Sequence, residues 1–561
     1  MNTYALTDND QKKLSEKGIT EAQAIQQLEI LRQGVPYIEV DRPCTLNDGI
    51  IRLAPDRMQT CLKGYDREAP RREITKFVPA SGAATRMFRD LIQIEHTDAF
   101  VEPDWIKKKA AEGGTAHRSL LTVINNLNRF AFYEALTACS GHEEIPITRL
   151  QNREHYLRIL RYLLHPVGLD YARLPKGLVL FHRYPEGPRT AFEEHLIEAA
   201  QYACGNGGIC RLHFTVASEH LARFEALFNH VRRGYEAALN THFELHFSTQ
   251  KSNTDTLAID LEGRPFRNDD GGLLFRPGGH GALIENLNRL KGDIVFVKNI
   301  DNVVPDRLKP FATRYKKALA GLLISLQSET FKRLRLLSAP KASSAEIDEA
   351  IGFGENQLHI IPPPDIREAS QQRRREWIMG RLNRPLRVCG MVRNQGEVGG
   401  GPFWVTTPGH GLSLQIVESS AVDPTSAHQQ RQMNAANHFN PVDLVLGLRD
   451  FEGNPFDLMQ FVDPKAVFIT GKSKAGRALK ALELPGLWNG GMSDWNTLFV
   501  EVPPETFTPV KTITDLLRAE HLSDAESETP PRSWEASPSP TQGLGPFPLP
   551  GENMRLGEAP P

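Results

Sequence analysis

The stretch ITKFVPASGAATRMFRDL, residues 74–91, reads as a short β-rich run, a turn of small residues and the start of a helical pattern. A strand that passes through such a turn into a helix is the repeating unit of α/β proteins. Working outward from it, the chain from residue 173 onward alternates β and α texture. The strand candidates are GLVLFH (177–182), ICRLHFTV (209–216), FELHFS (243–248), DIVFVKNI (293–300), RVCGMV (387–392), LSLQIVE (412–418), AVFIT (466–470) and TLFVEV (497–502). Most are separated by helical or loop stretches, which predicts a largely parallel or mixed sheet covered by helices. In open sheets of this kind ligands sit on the loops that follow the carboxyl ends of strands.

Ahead of this block, EAQAIQQLEILRQG (21–34) places Ala22, Ile25, Leu28 and Leu31 on one stripe, with Gly34 as a stop,. Residues 1–72 are therefore expected to form an N-terminal helical arm. HRSLLTVINNLNRFAFYEALTAC (117–139) and REHYLRILRYLLH (153–165) predict a helical insertion over about 88–172 in an α/β domain running from 73 to 520. The tail, 521–561, is rich in Pro, Ser and Gly and is expected to be disordered,.

Composition narrows the function classes. The 561 residues carry 66 basic and 68 acidic side chains, a formal charge of -2, which argues against a general nucleic-acid or membrane-surface binder. The first residues lack the charged start and apolar stretch of a secretory signal, and no apolar run is long enough for a membrane helix,. Six cysteines form no CxxC pair, so disulfide frameworks and structural zinc are not expected and the chain reads as cytoplasmic,.

Four loops carry candidate chemistry. Ser81, Gly82, Ala83, Ala84, Thr85 and Arg86 follow the first strand. Small residues let backbone amides approach a phosphate chain, and Arg86 can pair with phosphate oxygens,. Close packing under a capped helix is the competing reading. Lys176, just before LVLF, offers a point charge to phosphate or is a solvated surface lysine,. Gly278, Gly279, His280 and Gly281 suit a backbone that hugs a flat ligand, or form a glycine-rich hairpin,. Asp301, at the end of DIVFVKNI, is placed to hold a hard cation beside phosphate, or belongs to a simple Asp/Asn turn,. Lys511 is a candidate second phosphate cation. Gly471-Lys472-Ser473 resembles the end of a P-loop, but Ala466 stands where that motif needs glycine, which excludes an ATPase reading,.

In chain order these loops resemble the nucleotide-sugar pyrophosphorylases, in particular the UDP-sugar pyrophosphorylase-like nucleotidyltransferases with a glycosyltransferase-A-like fold. Ser81 to Arg86 resemble that family's glycine-rich loop, with Ser81 and Ala84 at positions that are glycine there. LPKGLVLFHRYPEGPRTAFEEHLIEAA (174–200) resembles its Pro-Lys segment. Gln250 and PGGHG (277–281) are similar to its uracil-reading stretch, Asn299 to Asn302 to its metal-binding strand end, and FTPVKTITDLL (507–517) to its late lysine string. LQIVESSAVDP (414–424) and FNPVDLVLGL (439–448) resemble its Glu-containing strand and Phe-Asn loop. VPASGAATRMF, GGGPFWV and LPGLWNGGM also look like a bacterial family known only as a domain of unknown function.

The resemblance implies a three-layer α/β/α, Rossmann-like mixed sheet of the nucleotide-diphospho-sugar transferase type. It implies a nucleotidyltransferase that joins a nucleoside triphosphate, UTP first, to a sugar 1-phosphate, with Mg²⁺ as cofactor. Arg86 and the amides of Ser81 to Thr85 would hold the β- and γ-phosphates, Lys176 the α-phosphoryl group, Asp301 the Mg²⁺ and Lys511 the sugar phosphate. Gln250, Gly279 and His280, flanked by Gly278 and Gly281, would read the base edge. The alternative is a non-catalytic nucleotide or sugar-nucleotide binding protein on the same scaffold.

Overall fold

Apolar runs without alternation form strands that are covered on both faces. Ile74–Pro79, buried at every residue before Pro79, is one of them. It pairs in parallel with Ile294–Lys298, Ile294 opposite Ile74 and Val297 opposite Phe77. The computed structural model describes residues 6–97, 103–140, 156–397, 399–407 and 411–522. The chain divides into two units, each assembled from three segments: Met1–Phe77, Ser248–Val297 and Lys316–Pro504 in the first, and Val78–Phe247, Lys298–Tyr315 and Glu505 onward in the second.

In the first unit the sheet runs in the order Thr45–Leu46, Gly49–Ile51, Asn496–Glu501, Leu386–Arg393, Asp443–Gly447, Ile294–Lys298 and Ile74–Pro79. Leu386–Arg393 is parallel to Asn496–Glu501 and antiparallel to Asp443–Gly447, so the sheet is mixed. Asp443–Gly447 sits within FNPVDLVLGL and was not among the expected strands. Its fully buried run lies at the centre of a core that includes Phe77, Val295, Cys389, Leu444 and Phe499. The fold is thus α/β on a mixed sheet with helices, as the alternation predicts.

All eight expected strand segments contain strands, but three of them make only antiparallel pairs outside the mixed sheet. Leu180–Tyr184 folds back on Gly187–Thr190, Gly411–Val417 pairs with Gly401–Thr407, and Phe468–Lys474 pairs with Arg477–Glu483, all antiparallel. The last hairpin turns through Ala475 and Gly476, both at positive φ (49° and 76°), the backbone that a tight two-residue turn demands. Alanine is an unusual residue there, which hid the hairpin from the pattern. Gly471, Lys472 and Ser473 lie on it in extended conformation.

The N-terminal helices Asp8–Lys17 and Glu21–Gln33 start from Thr7 and Thr20 with reciprocal side-chain caps,. Ala24, Leu28 and Leu31, not Ala22, are the buried stripe; Ala22 is exposed. They pack on Leu257, Ile259 and Leu482 of a four-stranded antiparallel sheet.

In the second unit, the span read as a helical insertion holds the helices Arg89–Thr97, Pro103–Ala111, Thr115–Asn125, Tyr133–Ser140 and Tyr156–Leu164. The long helix Leu221–Leu239 links the strands Ile209–Thr215 and His242–Ser248. The expected disordered tail lies outside the described residues, apart from His521 and Leu522. Among the described residues no helix is long and apolar enough to cross a membrane.

Candidate functional site

Strand Ile294–Lys298 ends in the turn Asn299–Asn302, which carries Asp301 in the second unit. Lys176 and Lys511 both donate to the same oxygen, Oδ2 of Asp301, at 3.0 and 2.9 Å. Lys176 is held further by the Val510 carbonyl at 2.9 Å, and the Val510 amide donates to the Asp301 carbonyl at 3.0 Å. Three chain segments, separated by 125 and 210 residues, therefore meet at one carboxylate. The two lysines differ: the Lys176 side chain is 11% exposed and that of Lys511 55%. One ammonium is built in and the other reaches solvent.

Burial works against ionisation of Asp301, but the two ammonium groups outweigh it and hold its pKa below the ordinary carboxylate range,. Its second oxygen, Oδ1, is enclosed and has no hydrogen-bond partner, as is the Nδ2 of Asn302. Asn302 uses its Oδ1 to accept from the Thr508 amide at 3.2 Å.

The small-residue loop is laced to the Lys176 segment through its backbone. Lys176 donates its amide to the Gly82 carbonyl at 3.2 Å, Ala84 to that of Leu174 at 2.9 Å, and Ile513 to that of Met87 at 3.1 Å. Ser81, Gly82, Ala83, Thr85 and Arg86 are exposed, whereas Ala84 is fully buried. The methyl that distinguishes Ala84 from glycine therefore lies in the interior. Thr85 Oγ1 sits 3.4 Å from the Ala172 carbonyl.

Gln250, Gly278, Gly279, His280 and Gly281 belong to the first unit. Gln250 donates to Thr254 Oγ1 at 3.2 Å. A β-carbon at Gly278 would stand 2.3 Å from the Thr254 carbonyl oxygen, and one at Gly281 2.3 Å from that of Pro485. Close approach of the chain to itself thus requires glycine at both positions. The His280 ring stacks on Trp488 (4.4 Å between centroids), and its Nδ1 accepts from the Leu487 amide at 3.0 Å. Burial pushes this imidazole below the ordinary histidine range, against the pull of Glu418 and Glu483.

A buried polar network in the second unit has almost no local signature in the sequence. Helix Ala191–Tyr202 is buried on all sides yet carries Glu193, Glu194 and Glu198. Such charges persist inside only when paired. Glu193 caps its own helix through Thr190, and Glu198 accepts from Lys298 at 2.6 Å. Glu194 takes Lys309, Tyr184 (2.7 Å) and His182 Nδ1 (2.8 Å), while Asp306 takes Arg189 and Lys309, each at 2.9 Å. His182 Nε2 then meets His521 Nδ1 at 2.9 Å. The one legible signal was Thr190-x-x-Glu193, a capping pattern.

Burial holds His182 and His521 below the ordinary histidine range, despite the attraction of Glu194 for His182. In the unfolded chain both take up protons near pH 6.5. The stability they contribute is therefore present above that pH and is lost as pH falls through it. The melting temperature is expected to drop between pH 7.5 and 5, and less steeply in His521→Asn, whose amide can still donate to His182 without titrating. Equal slopes in the two proteins would assign the acid response elsewhere.

A protein-family model described as Domain of unknown function (DUF4301) matches residues 7–522. No curated protein matches the sequence. Solved structures that it resembles include the UDP-glucose pyrophosphorylase of Leishmania major (13% identity, TM-score 0.41, covering 93% of this chain and 80% of that one). The UDP-N-acetylglucosamine pyrophosphorylase of Trypanosoma brucei in complex with an inhibitor is another (12%, TM-score 0.42, 91% and 79%). A UDP-glucose phosphorylase from Trypanosoma brucei is a third (13%, TM-score 0.41, 92% and 78%).

Proposed function

The chain belongs to the family described as a domain of unknown function, DUF4301, and from that premise we propose that it is a sugar-1-phosphate nucleotidyltransferase. A phosphate oxygen of the sugar 1-phosphate attacks the α-phosphorus of a nucleoside triphosphate, UTP first. The bond to the β-phosphate oxygen breaks, and pyrophosphate leaves. The attacking oxygen is already anionic, so the reaction asks for no general base. It asks for two polyanions to be aligned and for the charge that builds on the transferred group to be neutralised.

The convergence of Lys176 and Lys511 on Asp301 carries this reading, together with the ordered set of resembling loops. Lys176, fixed by Val510, would face the α-phosphoryl group. Lys511, on the solvent side, would take the sugar phosphate. Arg86 and the 81–86 loop would hold the β- and γ-phosphates, without the Ala84 amide, which is already given to the Leu174 carbonyl. Among the described residues no three His, Cys, Asp or Glu side chains gather as a metal site. A Mg²⁺ ion would rest on Asp301, whose Oδ1 has no hydrogen-bond partner, with the remaining ligands from phosphates and water, a coordination ordinary for this ion. When bound it would neutralise charge between the phosphates.

The alternative, a binding protein without turnover, draws on one observation: both lysines already share a carboxylate oxygen. Pyrophosphate release from UTP and Mg²⁺ with a panel of sugar 1-phosphates separates the two. Turnover supports the transferase. Calorimetric binding without turnover across the panel supports the alternative, and neither binding nor turnover removes both. Replacing UTP by other triphosphates in the same assay reads the base preference.

A further inference from the structure

A cavity of about 760 Å³ opens in the first unit between helix Pro55–Glu68 and helix Lys309–Ser338. The two helices touch at Gly321, where a β-carbon would stand 1.9 Å from the Cys61 carbonyl oxygen. Other positions lining the gap are Gly64, Ser325 and Ser328, too small to fill it,.

Gly64 is the informative residue. It lies inside a 14-residue helix, where glycine costs about 1 kcal/mol relative to alanine. Packing does not require it, because a β-carbon there meets no atom within 4 Å. Its effect is to leave bare helix backbone facing the cavity, the arrangement that close approach of a ligand demands.

Charge says which ligand. Arg57, Lys63, Arg67 and Arg72 line the cavity against Glu68 and Glu329, four positive charges to two negative. Glu329 is already engaged by Arg333 at 2.7 Å and Glu68 by Arg67 at 3.1 Å. Arg57 and Lys63 have no acidic partner among the described residues, and Arg72, 3.8 Å from Glu68, keeps a buried Nε without an acceptor. Phe353 and Leu322 add apolar surface.

We propose that this groove binds a small phosphate-bearing molecule. The surplus of two cations matches a phosphate dianion, and guanidinium groups suit its oxygens. The volume suits a phosphorylated metabolite. None of the lining residues belongs to the Lys176–Asp301–Lys511 cluster, so the proposal stands apart from the transferase reading.

Isothermal titration with inorganic pyrophosphate on the full chain tests it. In an Arg86→Ala/Lys511→Ala chain, which removes the loop cations assigned to phosphate while Lys176 stays on Asp301, one pyrophosphate per chain is expected to remain bound. Adding Gly64→Met, which fills the gap, is expected to raise Kd at least tenfold with the melting temperature unchanged or higher. Arg57→Gln/Arg72→Gln is expected to do the same and decides the matter if the methionine variant folds poorly. Absence of binding in the Arg86→Ala/Lys511→Ala chain overturns the proposal, as does binding that neither set of groove substitutions weakens.

Discussion

Replacing Lys176 with alanine is expected to lower pyrophosphate release about a hundredfold or more while the chain stays folded. A well-placed donor to charge that develops in the transition state is worth on the order of 3 kcal/mol, and 1.4 kcal/mol is tenfold in rate. The fold should survive because Asp301 keeps Lys511 on the same oxygen, at 2.9 Å, so no buried carboxylate is stranded. Arg86→Ala should lower turnover to a similar degree, and its exposed side chain makes it the cleaner variant. Steady-state rates with the best sugar 1-phosphate, alongside circular dichroism, measure both. Near-parental turnover in both would remove these residues from the chemistry.

Replacing Lys309 with methionine is expected to have the largest effect on stability. Lys309 is fully enclosed and touches both Glu194 and Asp306. Burial opposes ionisation of Glu194, and Lys309 is the strongest of the groups that nevertheless keep its pKa well below the ordinary range. Removing one partner of a buried ionic cluster costs about 3–5 kcal/mol, because the other charge remains desolvated and unpaired. Lys309→Met/Glu194→Gln should recover part of that loss, since the stranded charge goes too. Chemical denaturation followed by a probe in the second unit reads the shift. A loss below about 1 kcal/mol for Lys309→Met would mean that the cluster is not held as its geometry implies.

The candidate site was legible unevenly, for physical reasons. Lys176, Asp301 and Lys511 each occupy a loop next to a strand-like run, and their side chains have no local partner in sequence, which marks them as candidates. Their meeting on a single oxygen depends on contacts across 125 and 210 residues, and no local pattern encodes such distances. The Val510 carbonyl that fixes Lys176 has no signature at all, because every residue carries a carbonyl. Glu194 was missed for a related reason. A glutamate in a helix reads as a solvated face until the opposing Lys309 is known.

Sequence alone determined part of the local structure: eight runs that extend, and the helical stretches before residue 172. These follow from the periodicity of apolar residues, which acts within a few positions. Tertiary structure decided which strands share a sheet, sending Phe468–Lys474 and Gly411–Val417 to antiparallel hairpins and Asp443–Gly447 into the central sheet. It also decided which buried charges are compensated. Strand partnership and charge pairing are properties of two distant segments at once, and their free energy exists only after the chain has brought those segments together.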